Sequence, residues 1–439
     1  MVIIAEDLTR EMDSVEVKSV ETPTGYKLTE LGLIPEDWRL KRLWEITTEI
    51  GDGIHATPRY VDSSDYYFVN GNNLNNGKIV ITNNTKFVGE GEFNLLKKNL
   101  NNHTILMSIN GTIGELAYFN NENVILGKSV AYVNLKKHVE KIFIYYFFQT
   151  PSVKKYYINE LTGTTIKNLS LKSIRETPIT YPSLKEQQAI AAALSDIDAL
   201  ITSFDQLITK KQAIKQAAIQ QLLTGKQRLP GFNDEWKSKR IGEIFQFLST
   251  ANNPRSDLSE HGDIRYLHYG DIHGGTSPFL DCSKKTMPYI ELQKIKNFHF
   301  LEEGDLVIAD ASEDYEGIGK SVEILNINNK KIVAGLHTFL LRGNKSIVAD
   351  GFKGYIQSIP SLRTDIVRLA TGISVYGISK NNLRGVEVKL PPIQEQKAIA
   401  NVLSDMNSEI TALELQLDKA RNLKQGMMQE LLTGRIRLT

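Results

Sequence analysis

One stretch of this chain occurs twice, and that constrains the fold more than anything else in it. Residues 162–230 and 371–439 align without a gap at a shift of 209, with 25 identities over 69 positions. The identities include Pro182 with Pro391, Gly163 with Gly372 and Gly225 with Gly434, which chance similarity between two helices does not supply. A weaker echo runs upstream. IPEDWRLKRLWEI (34–46) parallels FNDEWKSKRIGEI (232–244), setting Trp38 opposite Trp236 at a shift of 198. YFVNGNNL (67–74) parallels IRYLHYGDI (264–272) at the same shift, and ILGKSVAYVNL (125–135) parallels VAGLHTFLLRG (333–343) at 208. The 439 residues suffice for two to four ordinary domains. The duplication organises them as two unlike regions, each followed by a similar one. The expected segments are an N-terminal arm (1–24), a variable domain (25–180), a helical region (181–230), a second variable domain (231–389) and a second helical region (390–439).

The similar regions carry a heptad seam. Apolar residues fall at Ile190, Leu194, Ile197, Ile201, Phe204 and Ile208, and again at Ile399, Leu403, Met406, Ile410, Leu413 and Leu417. Steps alternating between four and three residues line up one narrow helix face. Proline precedes each helix and Gly225 and Gly434 suit the C-terminal caps. From Glu186 to Thr224 such a helix has 39 residues, about 58 Å at roughly 1.5 Å each. Lys211 and Lys215 interrupt the first seam, and a register shift is expected there. A narrow seam needs a partner helix, and the other copy supplies one. The pair runs antiparallel if a pseudo-two-fold axis crosses it; pairing in trans as a dimer zipper is the alternative.

The variable regions alternate Gly, Asn and Asp turns with short β-branched and aromatic runs such as KIVIT, LAYF, AYVNL, DLVIA and TFLL. Many short strands with turns between them are expected, with a helix or two on the sheet. The fold class is therefore α+β: two globular domains with irregular sheets, separated by two long helices packed as a coiled coil.

Composition removes several functions. Hydrophobic residues make up 41% and charged residues 23%, the balance of a globular chain. The one cysteine, Cys282, excludes an internal disulfide and every multi-cysteine metal framework. No apolar run approaches the roughly 18 residues of a membrane span, and the acidic start MVIIAEDLTREMD does not read as a signal peptide. A cytoplasmic protein without membrane contact is expected. The net charge is +1, distributed as −3, +4, −2 and +2 over residues 1–161, 162–230, 231–370 and 371–439. The variable regions alone would thus hold a phosphate backbone weakly.

Catalytic motifs are absent. Gly127-Lys128-Ser129 and Gly319-Lys320-Ser321 resemble the end of a phosphate-binding loop, but Glu122 and Asp314 stand where its first glycine belongs. No dinucleotide fingerprint or adenine-methylating (N/D/S)PP(Y/F) tetrapeptide occurs, and Glu387-Val388-Lys389 lacks a nuclease's acidic partner. The histidines show no zinc-binding spacing. No catalytic residue, metal site or cofactor of its own is expected.

Donor-rich loops stand out instead. DGIHATPRY (52–60) carries His55, Thr57, Arg59 and Tyr60, with Asn70, Asn72 and Asn73 close behind. The second copy offers Asn252, Asn253 and Arg255, then His268, Tyr269 and Asp271. Arginine reads guanine and asparagine reads adenine through paired hydrogen bonds in the major groove. The segments Gly163–Lys167 and Gly372–Tyr376, with Lys167 and Tyr376, join these as candidates for DNA contact. A coiled-coil scaffold binding proteins through its variable domains is the competing reading.

The whole arrangement resembles the specificity subunit of type I restriction–modification systems. The likeness spans nearly all of the chain from about Tyr26. It is carried by LTELGLIPEDWRLKRLWEI, TGTTIKNLSLKSIRETPITYPSLKEQQAIAAAL and ISVYGISKNNLRGVEVKLPPIQEQKAIANVL, by the DGIHATPRY loop, and by the two LLTGxxRL segments. STANNPRSD (249–257) departs from the DGxHxTP pattern of its counterpart. The resemblance implies two target recognition domains, each reading half of a split, asymmetric sequence in double-stranded DNA. It implies that the helical regions pair as an antiparallel ruler and dock two methyltransferase subunits, and through them restriction subunits. S-adenosylmethionine, ATP and magnesium would belong to those partners, not to this chain.

Overall fold

A computed structural model describes residues 22–163 and 167–438. Most of the expected arm (1–24) and Thr164–Ile166 of the Gly163–Lys167 segment lie outside the described residues. The chain divides into two compact units: residues up to Ser203 together with Gln416 onward, and Phe204–Leu415.

In the first unit, β-branched and aromatic runs form two small sheets. One is antiparallel, in the order Leu116–Tyr118, Thr104–Ser108, Val130–Leu135, Thr47–Asp52. The other runs Val124–Leu126, Tyr67–Val69, Lys86–Val88, Tyr60–Val61, with its first pair parallel. The aromatic helix Lys141–Phe148 buries every residue from Phe143 to Phe148 in the core. Arg39–Arg42 pairs with Pro178–Tyr181, so the start and end of the variable region meet beside the long helix.

The second unit repeats this plan with one more strand in the main sheet and one fewer in the smaller. Its main sheet runs Phe245–Leu248, Thr338–Gly343, Leu306–Ala309, Ser321–Leu325, Phe279–Asp281. Its smaller sheet runs Tyr289–Ile290, Ile264–Leu267, Lys331–Ala334, and Lys237–Arg240 pairs with Glu387–Leu390.

The long helices are Leu184–Leu222 and Ile393–Leu431, 39 residues each, starting and ending two residues earlier than the expected span. Ser183 explains the start: its hydroxyl and carbonyl oxygens accept from the amides of Glu186 and Gln187. Within each unit the two helices pair with each other and run antiparallel. In the first unit, Asp198 meets Lys424 at 2.7 Å while Glu186 meets Arg437. In the second, Lys211 meets Glu409 at 2.6 Å, Lys215 meets Asn407 at 2.8 Å, and Arg228 meets Glu395. Of the twelve seam residues, eight are buried and Ile201, Phe204, Met406 and Leu413 are half-buried.

The register shift expected at Lys211 and Lys215 does not occur. The same alternation continues through Lys211, Lys215, Ala218 and Leu222, and through Ala420, Lys424, Met427 and Leu431 in the second helix, all at least half-buried. A lysine can occupy a seam position when its stem packs and its head reaches a polar partner, which Glu409, Asn407 and Asp198 provide.

The helix starts explain the repeated Glu-Gln pair. Buried Glu186 accepts from the Trp38 indole at 3.0 Å and from Arg437 Nε and Nη2 at 2.6 and 2.9 Å. Glu395 does the same with Trp236 at 3.1 Å and Arg228 Nη2 at 2.6 Å. Each arginine also lies over its tryptophan ring, 5.6 Å from the centroid. Gln187 and Gln396 donate to the carbonyls of Pro182 and Pro391 and accept from the amides of Glu140 and Ala349. Each Glu-Gln pair thus ties a helix start to its variable domain and to the closing LLTGxxRL segment. Gly434 lies so close to Pro35 and Trp38 that no side chain fits.

One matched pair of identical residues has different partners in the two units. Tyr146 and Tyr355 correspond at the shift of 209. The Tyr146 hydroxyl donates to Asp198 Oδ2 at 2.7 Å and contacts the Leu194 carbonyl at 3.0 Å. Among the described residues nothing bonds the Tyr355 hydroxyl. Tyr146→Phe should therefore cost about 1.5 kcal/mol of stability, the usual worth of a bond to a charged acceptor. Tyr355→Phe should cost under about 0.5 kcal/mol by the same logic, with urea unfolding curves as the comparison.

Candidate nucleic-acid interface

In the first unit, the loop after Thr47–Asp52 is held by backbone bonds, leaving its side chains free to project. Gly53 N donates to Val130 O at 3.0 Å and Ile54 N to Leu126 O at 2.7 Å. A methyl group on Gly53 would collide with the Leu126 and Gly127 carbonyl oxygens, so only glycine fits. Pro58 is buried and pins the far side, while His55, Thr57, Arg59 and Tyr60 are exposed. His55 Nε2 lies 2.9 Å from Asp52 Oδ2, the Arg59 amide donates to Glu92 Oε1, and Tyr60 packs on Phe68.

The three asparagines have different fates. Asn72 is exposed. Asn70 is half-buried, and its Oδ1 accepts from Ser129 Oγ at 3.1 Å. Asn73 is buried; its amide donates to Val80 O and Thr85 Oγ1 and its Oδ1 accepts from the Asn70 amide. That side chain is spent on the turn, so Asn73 drops out of the reading set.

Gly127-Lys128-Ser129, which lacks the first glycine of a phosphate loop, organises this edge. The Gly71 amide donates to Ser129 Oγ at 2.9 Å, and Asn110 Nδ2 donates to the Lys128 carbonyl at 3.2 Å. The Gly111 amide donates to the Lys167 carbonyl at 3.3 Å, and Asn110 bridges Asn168. Short links therefore join the His55–Tyr60 loop, Asn70, Asn72, Lys128 and Lys167 into one edge. Lys128 is exposed there, a cation that sequence reasoning missed. Its only advance signal was a lysine inside a glycine turn.

The second unit gathers its candidates around Tyr266 and Tyr269. The buried Tyr266 hydroxyl donates to Asn253 O at 2.7 Å and accepts from the Leu336 amide at 2.7 Å. Asn252 and Arg255 are exposed. Asn253 is committed locally, its amide donating to Asp257 Oδ2 and Lys294 O. His268 is buried and its Nδ1 accepts from the Gly270 amide. Its Nδ1 acts as an acceptor in that cap, and burial and then the Arg255 charge hold its pKa below the ordinary value. Asp271 accepts from the His268 amide and lies 3.6 Å from Lys285. Tyr269 is half-buried, with its ring centroid 5.7 Å from that of His273 and 5.6 Å from that of His337.

From there the cluster reaches Tyr376. His337 contacts Asp310, the Ile378 amide donates to the Asp310 carbonyl, and Ser312 pairs with Tyr376. Tyr376 stacks on Tyr315 at 4.0 Å. His337 and Tyr315 were not foreseen. His337 is half-exposed, with a positive φ of 57° that a non-glycine residue adopts at a cost. Asn252, Arg255, Tyr269 and His337 remain available to a ligand; Asn253, His268 and Asp271 shape the surface from beneath. Glu313, Asp314 and Glu316 make this edge more acidic than its counterpart.

Each unit thus offers arginine, asparagine and aromatic groups from turns held on sheets, the chemistry of base-edge readout. Among the described residues no cluster of His, Cys, Asp and Glu could hold a metal ion, and no helix is long and apolar enough to cross a membrane.

The family model described as the type I restriction modification DNA specificity domain matches the chain twice, over residues 35–216 and 233–420. The chain belongs to that family. Each specificity-domain match takes in one variable domain and most of the long helix that follows it. Relatives cover almost the whole length. The putative type I restriction enzyme MjaX specificity subunit of Methanocaldococcus jannaschii is 25% identical over 436 residues, spanning 94% of this chain and 97% of its own. The EcoKI specificity subunit of Escherichia coli K12 is 21% identical over 445 residues, spanning 92% and 90%. Among solved structures, the S subunit from M. genitalium superposes with a TM-score of 0.54 at 16% identity, covering 92% of this chain and 97% of that one. A chain from a study of type I R-M complex assembly and conformational transition gives 0.58 at 16% identity, covering 92% and 99%. These structures share the fold.

Proposed function

We propose that this specificity subunit reads a bipartite, asymmetric sequence in double-stranded DNA, one half through each variable domain. The observation that carries the reading is the pairing of unlike polar edges with matched helix anchors. His55–Tyr60 and Asn252–Arg255 differ, while Trp38–Glu186–Arg437 and Trp236–Glu395–Arg228 are the same. A chain that makes one protein contact twice and reads two different sequences needs that combination.

In this reading His55, Thr57, Arg59, Tyr60, Asn70, Asn72, Lys128 and Lys167 face the first half-site. Asn252, Arg255, Tyr269, His337 and Tyr376 face the second. The matched helical regions dock two methyltransferase subunits, and restriction subunits join through them. The chain itself performs no catalysis. S-adenosylmethionine, ATP and magnesium reside on the partners, where adenine N6 is methylated after the base leaves the stack. The near-neutral net charge of +1 fits a reader held on DNA by cationic partners.

Long-read mapping of N6-methyladenine in cells with and without the gene tests this. A split motif should vanish on deletion; an unchanged methylation map would refute the proposal. Arg59→Ala should weaken recognition by about 1–3 kcal/mol and relax one base position in one half of the motif, and Arg255→Ala should do so in the other. Equal losses on all sequences would mark phosphate contacts instead.

A further inference from the structure

The second unit contains a cavity of about 620 Å3 between its long helices and its variable domain, lined among others by Lys215, Gln216, Lys320, Tyr355, Asn407 and Glu414. Its chemistry is best judged against the first unit. There the matched residues form a closed cluster: Lys424 contacts Asp198 Oδ1 at 2.7 Å, Tyr146 donates to Asp198 Oδ2, and Lys424 lies over the Tyr146 ring. One carboxylate satisfies an ammonium and a phenol together. Shifted by 209, Lys424, Asp198 and Tyr146 correspond to Lys215, Asn407 and Tyr355. The lysine and the tyrosine are retained and the carboxylate has become an amide.

Two observations show that the exchange leaves the second unit short of an anion. Lys215 Nζ has only the neutral Asn407 Oδ1 at 2.8 Å, and no carboxylate among the described residues forms an ion pair with it. Burial draws its pKa below the ordinary value, with Glu414 offsetting only part of that. Tyr355 is 1% exposed and lines the cavity, and its hydroxyl has no acceptor among the described residues. No buried side-chain N or O among the described residues lacks a partner, so this hydroxyl opens into the cavity, where a group from outside the chain can accept from it. Lys320 adds a second ammonium, itself held by the His273 and Gly275 carbonyls, so the lining carries two cations against Glu414.

We infer that this cavity binds a carboxylate, which accepts from Lys215 and Tyr355 as Asp198 accepts from their counterparts. The group comes either from a small free acid or from an acidic side chain of a bound protein. The site adjoins the second unit's candidate edge, because Lys320 lines it and bonds the carbonyl of His273, the neighbour of Tyr269.

Thermal unfolding of the full chain in sodium acetate, against sodium chloride at equal ionic strength, tests the assignment. Acetate above its dissociation constant should raise Tm by about 3–5 °C in the wild type, the rise growing with the logarithm of its concentration. Lys215→Met and Asn407→Asp should abolish the acetate-specific rise, the latter because its own carboxylate takes the position. Asn407→Asp should also melt higher than wild type in chloride alone. A rise that begins below about 1 mM assigns a free acid; one that begins only in the tens of millimolar assigns a side chain supplied at the high local concentration of a docked partner. An equal response in all three proteins, or none in the wild type, overturns the inference.

Discussion

Glu186→Ala should lower the stability of the first unit by about 3 kcal/mol, within the range for breaking a buried ion pair. The carboxylate is 3% exposed and Arg437 29%, so solvent screens the pair only in part. Removing it leaves the Trp38 indole N–H without its acceptor inside the core and strips Arg437 of two bonds, with only Asp37 left to it. Burying an unpaired donor costs about 1–3 kcal/mol by itself. Glu186→Gln keeps an oxygen for the indole and should cost less, roughly 1–2 kcal/mol. Glu395→Ala should have the same effect on the second unit through Trp236 and Arg228. Urea titration gives the magnitude and hydrogen exchange locates the loss. Loss of protection in the wrong unit, or a change below about 0.5 kcal/mol, would refute this account of the anchors.

Gly53→Ala should disable reading of the first half-site while leaving the second intact. The added methyl meets backbone oxygens of Leu126 and Gly127, which cannot rotate away. Overpacking of this kind costs about 1–3 kcal/mol and is relieved by moving the loop, which displaces His55, Thr57 and Arg59 together. A displacement of that size should reduce methylation of the full motif at least about tenfold, the equivalent of roughly 1.4 kcal/mol. Gly91→Ala is the control, because a methyl there meets nothing within 4 Å. If the two variants methylate alike, the steric account of the loop is wrong.

The helices were legible because their information is local. A seam with a period of 3.5 residues is visible in one dimension, and matched seams at a shift of 209 indicate the pairing. The expected register shift failed for an instructive reason. Lys211 and Lys215 look like breaks until their partners Glu409 and Asn407, roughly 190–200 residues away, are placed beside them. The strands were legible as runs but not as sheets, because pairing such as the parallel contact of Tyr67–Val69 with Val124–Leu126 joins distant segments. The candidate loops were legible as donor-rich turns. Asn72 and Asn73 are chemically identical neighbours, yet a single 3-10 turn sends one outward and folds the other onto Val80 and Thr85.

By itself the sequence determined that two unlike variable domains alternate with two like helices, since duplication, periodicity and composition are properties of a string. The tertiary structure alone decided which polar groups remain available. Glu186 and Glu395 stand out in sequence only as the repeated Glu-Gln pair, and only folding brings Arg437 across 251 residues and Arg228 across 167 to hold them. Only folding also turns one Lys–Asp–Tyr cluster into a closed contact and its Lys–Asn–Tyr counterpart into an open cavity. The physical reason is common to both cases. The worth of a charge depends on its burial and on the distance to its partner, and neither quantity exists until the chain is folded.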